Sequence, residues 1–208
     1  VVKATKVALI TSGASRTNAN REWTMTGINL DQIASFTFDG KVITEFTKQS
    51  ATEIALICPA LSDGDYKLVG KTKGGEDVQF YSAQGTGVEQ VVTVSSKVVL
   101  WQGHHYVSWD LPDESPNKTF NLIGANVFDQ IKAGAVMSIH YSVAPEAEYH
   151  QLRTTSGWWN DLVGTSVIEF STDGVKEIQL TQDILNQIKE QAGFLCVGHG
   201  YYVDMVTL

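Results

Sequence analysis

The chain has few long apolar runs and no dense cluster of cationic residues. None of its 208 residues falls in an apolar stretch approaching the roughly 20 residues that a membrane-spanning helix needs. Lysine and arginine number 15 against 23 aspartates and glutamates, a formal net charge of -8. Such a surface repels phosphate, which argues against nucleic acid and against an anionic membrane face as partners. Cysteine is scarce. The two, Cys58 and Cys196, sit in the apolar segments "EIALICPAL" and "FLCVGHGYY" and read as buried free thiols that act as small hydrophobes. No CxxC or Cys/His spacing suggests zinc. Neither a signal peptide nor an initiating methionine opens "VVKATKVALI". The chain is read as an excised or processed piece, so its silence about targeting carries little.

Helical periodicity is almost absent too. What remains is a succession of short alternating or apolar runs cut by Gly, Asn, Asp and Ser, the pattern of strands and turns. A hydrophobic content of 43% is ordinary for a folded globular chain. The first half offers "KVALITSG", "EWTMTGINL", "ASFTFDGKVIT", "EIALICPAL", "GDYKLVGKT" and "EDVQFYSA". "FDGK" has the composition of an Asp-Gly hairpin turn, and a second hairpin is expected to turn near Gly74 and Gly75. Roughly six or seven short strands in about 80 residues predict a small sandwich.

"AQGTGVEQ", residues 83–90, is small, polar and glycine-containing, and reads as a linker. The expected domains are therefore 1–84 and 85–208. The second restarts with "VVTVSSKVVLWQG" and continues through "HYVSWDLP", "AVMSIHYSVA", "EYHQLRTT", "SVIEFST", "VKEIQLT", "FLCVGHG" and "YYVDMVTL". About eight strands in about 120 residues fit a larger jelly-roll-type sandwich. One short helix interrupts them, capped by Thr181, striped by Ile184, Leu185 and Ile188, and ended by Gly193. A shorter helical turn is expected in "NVFDQIKAG". The fold class is thus all-β, an immunoglobulin-like sandwich followed by a larger jelly-roll-type one. A disulfide between Cys58 and Cys196 would have to cross the boundary.

Two resemblances attach to these residues. "WTMTGINLDQIASFTFDGK", "ATEIALICPAL" and "GDYKLVGKTKGG" resemble the IPT/TIG immunoglobulin-like domains over most of residues 1–83, which implies a spacer domain. "VVLWQG", "HYVSWD", "EYHQLRTTSGWWNDL", "LTQDILNQIKEQAGF" and "VGHGYYVDMVTL" resemble the β-sandwich carbohydrate-binding domains of bacterial surface glycan-binding proteins and of glycanase accessory modules. That second likeness spans nearly all of residues 91–208. It implies a polysaccharide or oligosaccharide partner, an extracellular or cell-surface location, and tethering to a glycanase or a surface anchor. Many relatives carry an acidic residue after the tryptophan of the first strand; this chain has Gln102 there, which undercuts any metal role at that position.

A neutral sugar ring presents weakly apolar C–H faces and a rim of hydroxyls. A site for it needs flat aromatic platforms and a few polar groups at the edge. The segment Glu148 to Gly164 has these ingredients. If "YHQLRTT" is a strand, Tyr149, Gln151 and Arg153 share one face, and His150, Leu152 and Thr154 the other, with Leu152 marking the core side. "TSG" then turns the chain and delivers Trp158 and Trp159 beside that open row. Consecutive strand residues point to opposite faces, so one indole is expected in the core and the other as platform; in a loop, both would be open. The ligand-binding candidates are Trp158, Trp159, Tyr149, Gln151 and Arg153. Two plainer readings compete: paired tryptophans that close the end of a sandwich, or exposed aromatics that bind protein in an adhesion or scaffold segment.

Other residues read as structural. Trp23, Trp101 and Trp109 are expected in cores, and His104 and His105 in a short turn after Gly103. His140 alternates with Ser138 and Ser142, either as a satisfied histidine or lining the groove of Gln151. His199, between two glycines, belongs to a tight connection or reaches the site rim. Catalysis is not expected. Asp110, Asp113, Glu114, Glu146, Glu148 and Asp161 all lie in turn-like, solvated places, unlike the apolar settings that raise a carboxyl pKa for acid catalysis. "GTSVIE" lacks the G-x-S-x-G of a nucleophile elbow, and "GTGVEQ" has no lysine to meet phosphate. No cofactor is expected. The oxygen-rich turn "DLPDESPN" leaves room for a structural calcium, but calcium takes about six to eight oxygens that a linear pattern does not assemble, and the metal stays unassigned.

Overall fold

The computed structural model describes residues 6–208; the first five residues of the expected first domain lie outside them. The chain divides into two compact units between Ser96 and Lys97.

The first unit contains β1 (Leu9–Ser12), β2 (Arg16–Asn18), β3 (Glu22–Ile28), β4 (Ile33–Phe38), β5 (Lys41–Ile43), β6 (Lys48–Gln49), β7 (Glu53–Ile57), β8 (Gly64–Thr72), β9 (Gln79–Ser82), β10 (Gly85–Gly87) and β11 (Gln90–Ser95). They form a six-stranded sheet, β10-β9-β1-β3-β7-β6, facing a five-stranded one, β2-β11-β8-β4-β5. Between them lie Ile10, Trp23, Met25, Phe36, Phe38, Ile54, Leu56, Leu68 and Phe80. The Asp-Gly turn joins β4 to β5, with Asp39 and Gly40 both at positive φ, 49° and 71°, as a type I′ hairpin requires. The turn at Gly74 and Gly75 also forms, but only the bridge Lys71–Asp77 follows it; β9 then crosses to the other sheet.

The boundary expected at 84 and 85 is too early. Gly85–Gly87 pairs antiparallel with β9, and Gln90–Ser95 pairs with both β8 and β2. Val92 and Val94 are buried in the first core. The small, polar composition of residues 83–90 reflects an edge hairpin, whose exposed strand needs no large side chains.

The second unit contains β12 (Val99–Val107), α1 (Ala125–Phe128), β13 (Val136–Val143), β14 (Gln151–Ser156), β15 (Ile168–Glu169), β16 (Gly174–Gln179), α2 (Gln182–Glu190), β17 (Phe194–His199) and β18 (Tyr201–Thr207). A four-stranded sheet, β12-β18-β13-β16, and a three-stranded sheet, β15-β14-β17, enclose the core. Met137, Ile139, Ile178 and Val203 meet Leu152, Phe194 and Cys196 there, and α2 adds Ile184, Leu185 and Ile188. Thr181 caps α2 by accepting from the Ile184 amide at 3.2 Å. Gly193, at φ 106°, closes it with its amide on the Ile188 carbonyl at 2.8 Å, a glycine stop of the kind expected.

"VVLWQG" and "HYVSWD" belong to one long strand, β12, whose register against β18 shifts between Gln102 and His105. His104 and His105 therefore lie in a strand rather than a turn: the irregular register absorbs Gly103 without reversing the chain. Trp101 is half-buried and meets Phe120 edge-on at 4.8 Å. Trp109 follows the end of β12 and is 39% exposed, so it is not a core residue. Both cysteines are free and buried, one in each unit. Burial pushes the Cys58 thiol up to about 11 and the Cys196 thiol up as well, so both stay protonated and inert.

Candidate functional site

Strand β14 alternates as its sequence requires. Leu152 is in the core, Gln151 is half-buried and Arg153 exposed. On the neighbouring β17, Gln151 faces His199, Arg153 faces Val197 and Thr155 faces Leu195. Phe194 and Cys196 point into the core, so Leu195, Val197 and His199 share the outer face with Gln151, Arg153 and Thr155; Thr155, Leu195 and Val197 are themselves covered, which leaves Arg153 and the half-buried Gln151 and His199 as the accessible side chains between the ends. Phe120 bridges Cys196 on the far side of β17, and its neighbours Thr119 and Asn121 extend that face.

Aromatic rings stand at both ends of this face. At the start of β14, Tyr149 lies nearly parallel to His199, with ring centroids 5.0 Å apart and planes 14° apart. Trp109 is 6.0 Å from Tyr149 and 5.6 Å from His199. Tyr149 is 40% exposed. Gly198 makes this junction. Its φ is 135°, and a Cβ there would lie 2.0 Å from the Gln151 carbonyl oxygen, so only glycine brings the strands this close. The Ser108 hydroxyl donates to Asp110 and lies 3.0 Å from His199 Nδ1. A hydroxyl has one proton; with that proton on Asp110, Nδ1 is the donor to the Ser108 oxygen. The same hydrogen bond holds the Asp110 carboxyl below its ordinary range, while desolvation raises the Tyr149 phenol.

At the other end of β14 the chain turns through Gly157. Trp158 is 62% and Trp159 50% exposed. Both indoles therefore lie in the turn and neither is core, the outcome expected of a loop rather than the one-in, one-out pattern of a strand. Strand alternation has ended at Ser156, and Trp159 is left-handed at φ 66°, an unfavourable conformation for so bulky a residue. Leaving half of such a ring in water forgoes about 2–3 kcal/mol of burial. Trp159 forms one wall of a cleft of about 340 Å³, shared with Thr119, Asn121, Gly124, Ala192 and Leu195.

The turn is held from beneath by α2. Gln191 Oε1 accepts from the Ser156 hydroxyl at 2.7 Å and from Asn160 Nδ2 at 3.0 Å. Gln187 donates to the Asp161 carbonyl at 2.8 Å and accepts from the Val163 amide at 3.0 Å. Gly157 donates to the Gly193 carbonyl at 2.9 Å; a Cβ on Gly157 would meet the Ala192 oxygen at 2.4 Å. The tryptophans thus protrude from a turn fixed by the helix. Arg153 meets Asp161 through two hydrogen bonds, from Nε and from Nη2, the second at 2.9 Å. The guanidinium holds the Asp161 carboxyl below its ordinary range.

Of the sequence candidates, Trp158, Trp159, Tyr149, Gln151 and Arg153 all lie along β14 and its two flanking turns. His140 does not join them. It sits on β13 in the other sheet, buried, with Nε2 3.3 Å from the Thr207 hydroxyl. His199, read as a tight connection or as reaching the site rim, and Trp109, read as core, do join. The signal for Trp109 was the "DLP" that follows it, which ends a strand and frees its side chain. In the oxygen-rich turn, Lys118 pairs with Asp113, and Asp110 is held by Ser108.

Together these features describe a two-sandwich protein whose C-terminal sandwich bears an open aromatic face. Over 98% of its length this chain is 53% identical to SGBP-B of the Bacteroides ovatus mixed-linkage glucan utilization locus, solved in complex with a mixed-linkage heptasaccharide; the TM-score is 0.52. The chain spans 52% of that protein's length. This is the surface glycan-binding class that the C-terminal half was read to resemble. A structure with xylogluco-oligosaccharide is 13% identical over 94% of this chain and 56% of that one, with a TM-score of 0.29. A structure of carbohydrate-binding modules from the β-sandwich superfamily is 12% identical over 94% and 88%, with a TM-score of 0.23. Scores that low carry no argument. No protein-family model matches the chain, and no curated protein does.

Proposed function

We propose that the chain is a non-catalytic glycan-binding segment whose C-terminal sandwich grips a neutral polysaccharide of the β-glucan or hemicellulose class along the outer face of β14 and β17. The observation that carries this reading is the display of Trp158 and Trp159 on a turn braced by α2. Rigid, open indoles offer stacking area at little ordering cost, and the burial they forgo in the free protein is regained under a sugar ring. Tyr149 with Trp109 and His199 forms a second station. The six residues of β14 separate the stations by roughly 17–20 Å, so a ligand touching both is several rings long. Gln151, Arg153 and His199 supply polar groups between them.

The relative's mixed-linkage ligand makes mixed-linkage β-glucan the first candidate, and an extracellular or cell-surface location fits the same reading. The first sandwich then acts as a spacer between the binding domain and whatever tethers it. Two carboxyls beside the face, Asp110 and Asp161, are held below the ordinary range; a glycosidase acid needs the opposite shift.

Native affinity electrophoresis against mixed-linkage β-glucan, xyloglucan and xylan tests the reading. The wild type is retarded by at least one of them. A Trp158→Ala/Trp159→Ala variant runs free and keeps its melting temperature to within a few degrees. Retention of the double variant, or no retardation of the wild type by any neutral polymer, overturns the proposal; in the second case a protein partner for the exposed aromatics becomes the reading to pursue.

A further inference from the structure

Plant polysaccharides divide by charge into neutral polymers and polymers bearing uronic acids. A guanidinium free to point at a ligand is a strong carboxylate receptor, because its planar fork matches two oxygens at once. Among the described residues of β14 and β17, Arg153 is the cation on the outer face, where Gln151 and the covered Thr155, Leu195 and Val197 are uncharged; Glu169 on β15 lies opposite Gln151, two residues from Arg153 along β14. Its Nε and Nη2 are both engaged by the two oxygens of Asp161. The pair lies in the open, with each side chain 46% exposed.

An exposed ion pair is ordinarily loose. This one is not free to wander, because Asp161 is fixed through its backbone. Gln187 donates to its carbonyl at 2.8 Å, and a bridge ties it to Thr155 on β14. The carboxylate therefore stands where a ligand's carboxylate would dock.

Resting on the glycan-binding reading above, we propose that Asp161 is a specificity-determining residue: it fills the carboxylate-recognising edge of Arg153 and restricts the face to neutral glycans. The N–H groups of Arg153 not spent on Asp161 remain for hydroxyls. A uronate approaching the site meets Asp161 instead of an open guanidinium, on a chain that already carries a net charge of -8.

The test compares wild type, Asp161→Asn and Arg153→Gln/Asp161→Asn on affinity gels containing either mixed-linkage β-glucan or polygalacturonate, with thermal melts as the folding control. The wild type is expected to ignore polygalacturonate. Asp161→Asn gains affinity for it by about tenfold or more at low salt, and the gain fades near physiological ionic strength. The double variant, whose net charge returns to that of the wild type, loses the gain, and Glu22→Gln, an equal drop in negative charge at the exposed start of β3 in the first unit, does not produce it; together they separate exposure of Arg153 from a general drop in negative charge. Polygalacturonate binding by the wild type, no gain in Asp161→Asn, or an equal gain in the double variant each overturns the gate. A wild type that ignores every neutral polymer fails the parent reading instead, and the β-glucan lane reports that separately.

Discussion

In the N-terminal sandwich, Trp23 is 2% exposed, packs 5.5 Å from Phe38, and donates its indole N–H to the Gly13 carbonyl at 2.6 Å. In the C-terminal sandwich, Trp158 and Trp159 stand in water on a turn that four side-chain hydrogen bonds from Gln187 and Gln191 hold in place. Both sandwiches close their cores with phenylalanine and aliphatic side chains, so the second does not expose indoles for want of a core. It orders a turn in order to expose them. The difference separates an aromatic ring that stabilises a fold from one that the fold presents.

The comparison breaks most visibly by truncation. Trp23→Ala removes a fully packed ring and orphans the Gly13 carbonyl; unfolding in urea is expected to show a loss of about 3–5 kcal/mol. Trp158→Ala or Trp159→Ala alone is expected to cost less than about 1 kcal/mol, since surface changes rarely exceed this. Equal losses at the two sites would make the paired tryptophans structural and remove the basis of the proposed function.

The two ends of the β14 face form a second contrast. Tyr149→Ala removes a ring already stacked on His199. A stacking contact of about 0.5–1.5 kcal/mol corresponds to a loss of roughly 2–12-fold in affinity. Calorimetry with oligosaccharides of increasing length is expected to show that loss only for ligands long enough to reach both stations. A uniform loss at every length would mean that the two ends do not act on one chain. The brace beneath the tryptophans is the next target. Gln191→Ala deletes the acceptor shared by Ser156 and Asn160, at about 1–2 kcal/mol of stability. Hydrogen exchange at residues 157–160 is expected to accelerate, and affinity to fall severalfold as the turn must be ordered on binding.

Much of this was legible in the order of residues. Alternation around Leu152 placed Gln151 and Arg153 on one face, and Thr181 with Ile184, Leu185 and Ile188 marked α2. Four things were not legible, each for a physical reason. The boundary was set too early because an exposed edge hairpin and a linker share the same small, polar composition. Trp109 was misplaced because a strand end frees a side chain that strand periodicity would bury. The partnership of Trp109, Tyr149 and His199 needed the close approach at Gly198, and the ion pair Arg153–Asp161 needed the turn to fold Asp161 back beside β14. Contacts across a turn depend on its geometry, which a linear pattern does not carry.

The smallest expected effect contrasts the two sandwiches at low pH. Thr72 donates a hydrogen bond to Glu76 in the first, and Arg153 donates to Asp161 in the second; each lowers its carboxyl below the ordinary range. A carboxyl depressed in the folded state contributes stability above its unfolded value, near 4, and that contribution is lost as the pH falls through the folded value. The signs agree and the causes differ. Asp161 is held by hydrogen bonds from Arg153 and by the charge of the same group, whose pull salt screens, and as an exposed pair it is worth no more than about 1 kcal/mol. Glu76 is held by a neutral hydroxyl, which salt affects little. Melting temperatures measured between about pH 5 and pH 2 are expected to fall slightly less steeply in Asp161→Asn than in the wild type at low ionic strength, and equally near 1 M salt. Thr72→Val is expected to change the acid limb by the same amount at both ionic strengths. No difference between Asp161→Asn and the wild type at low ionic strength would mean that the turn is held there by its backbone bonds alone, and that the guanidinium of Arg153 is already free to meet a ligand.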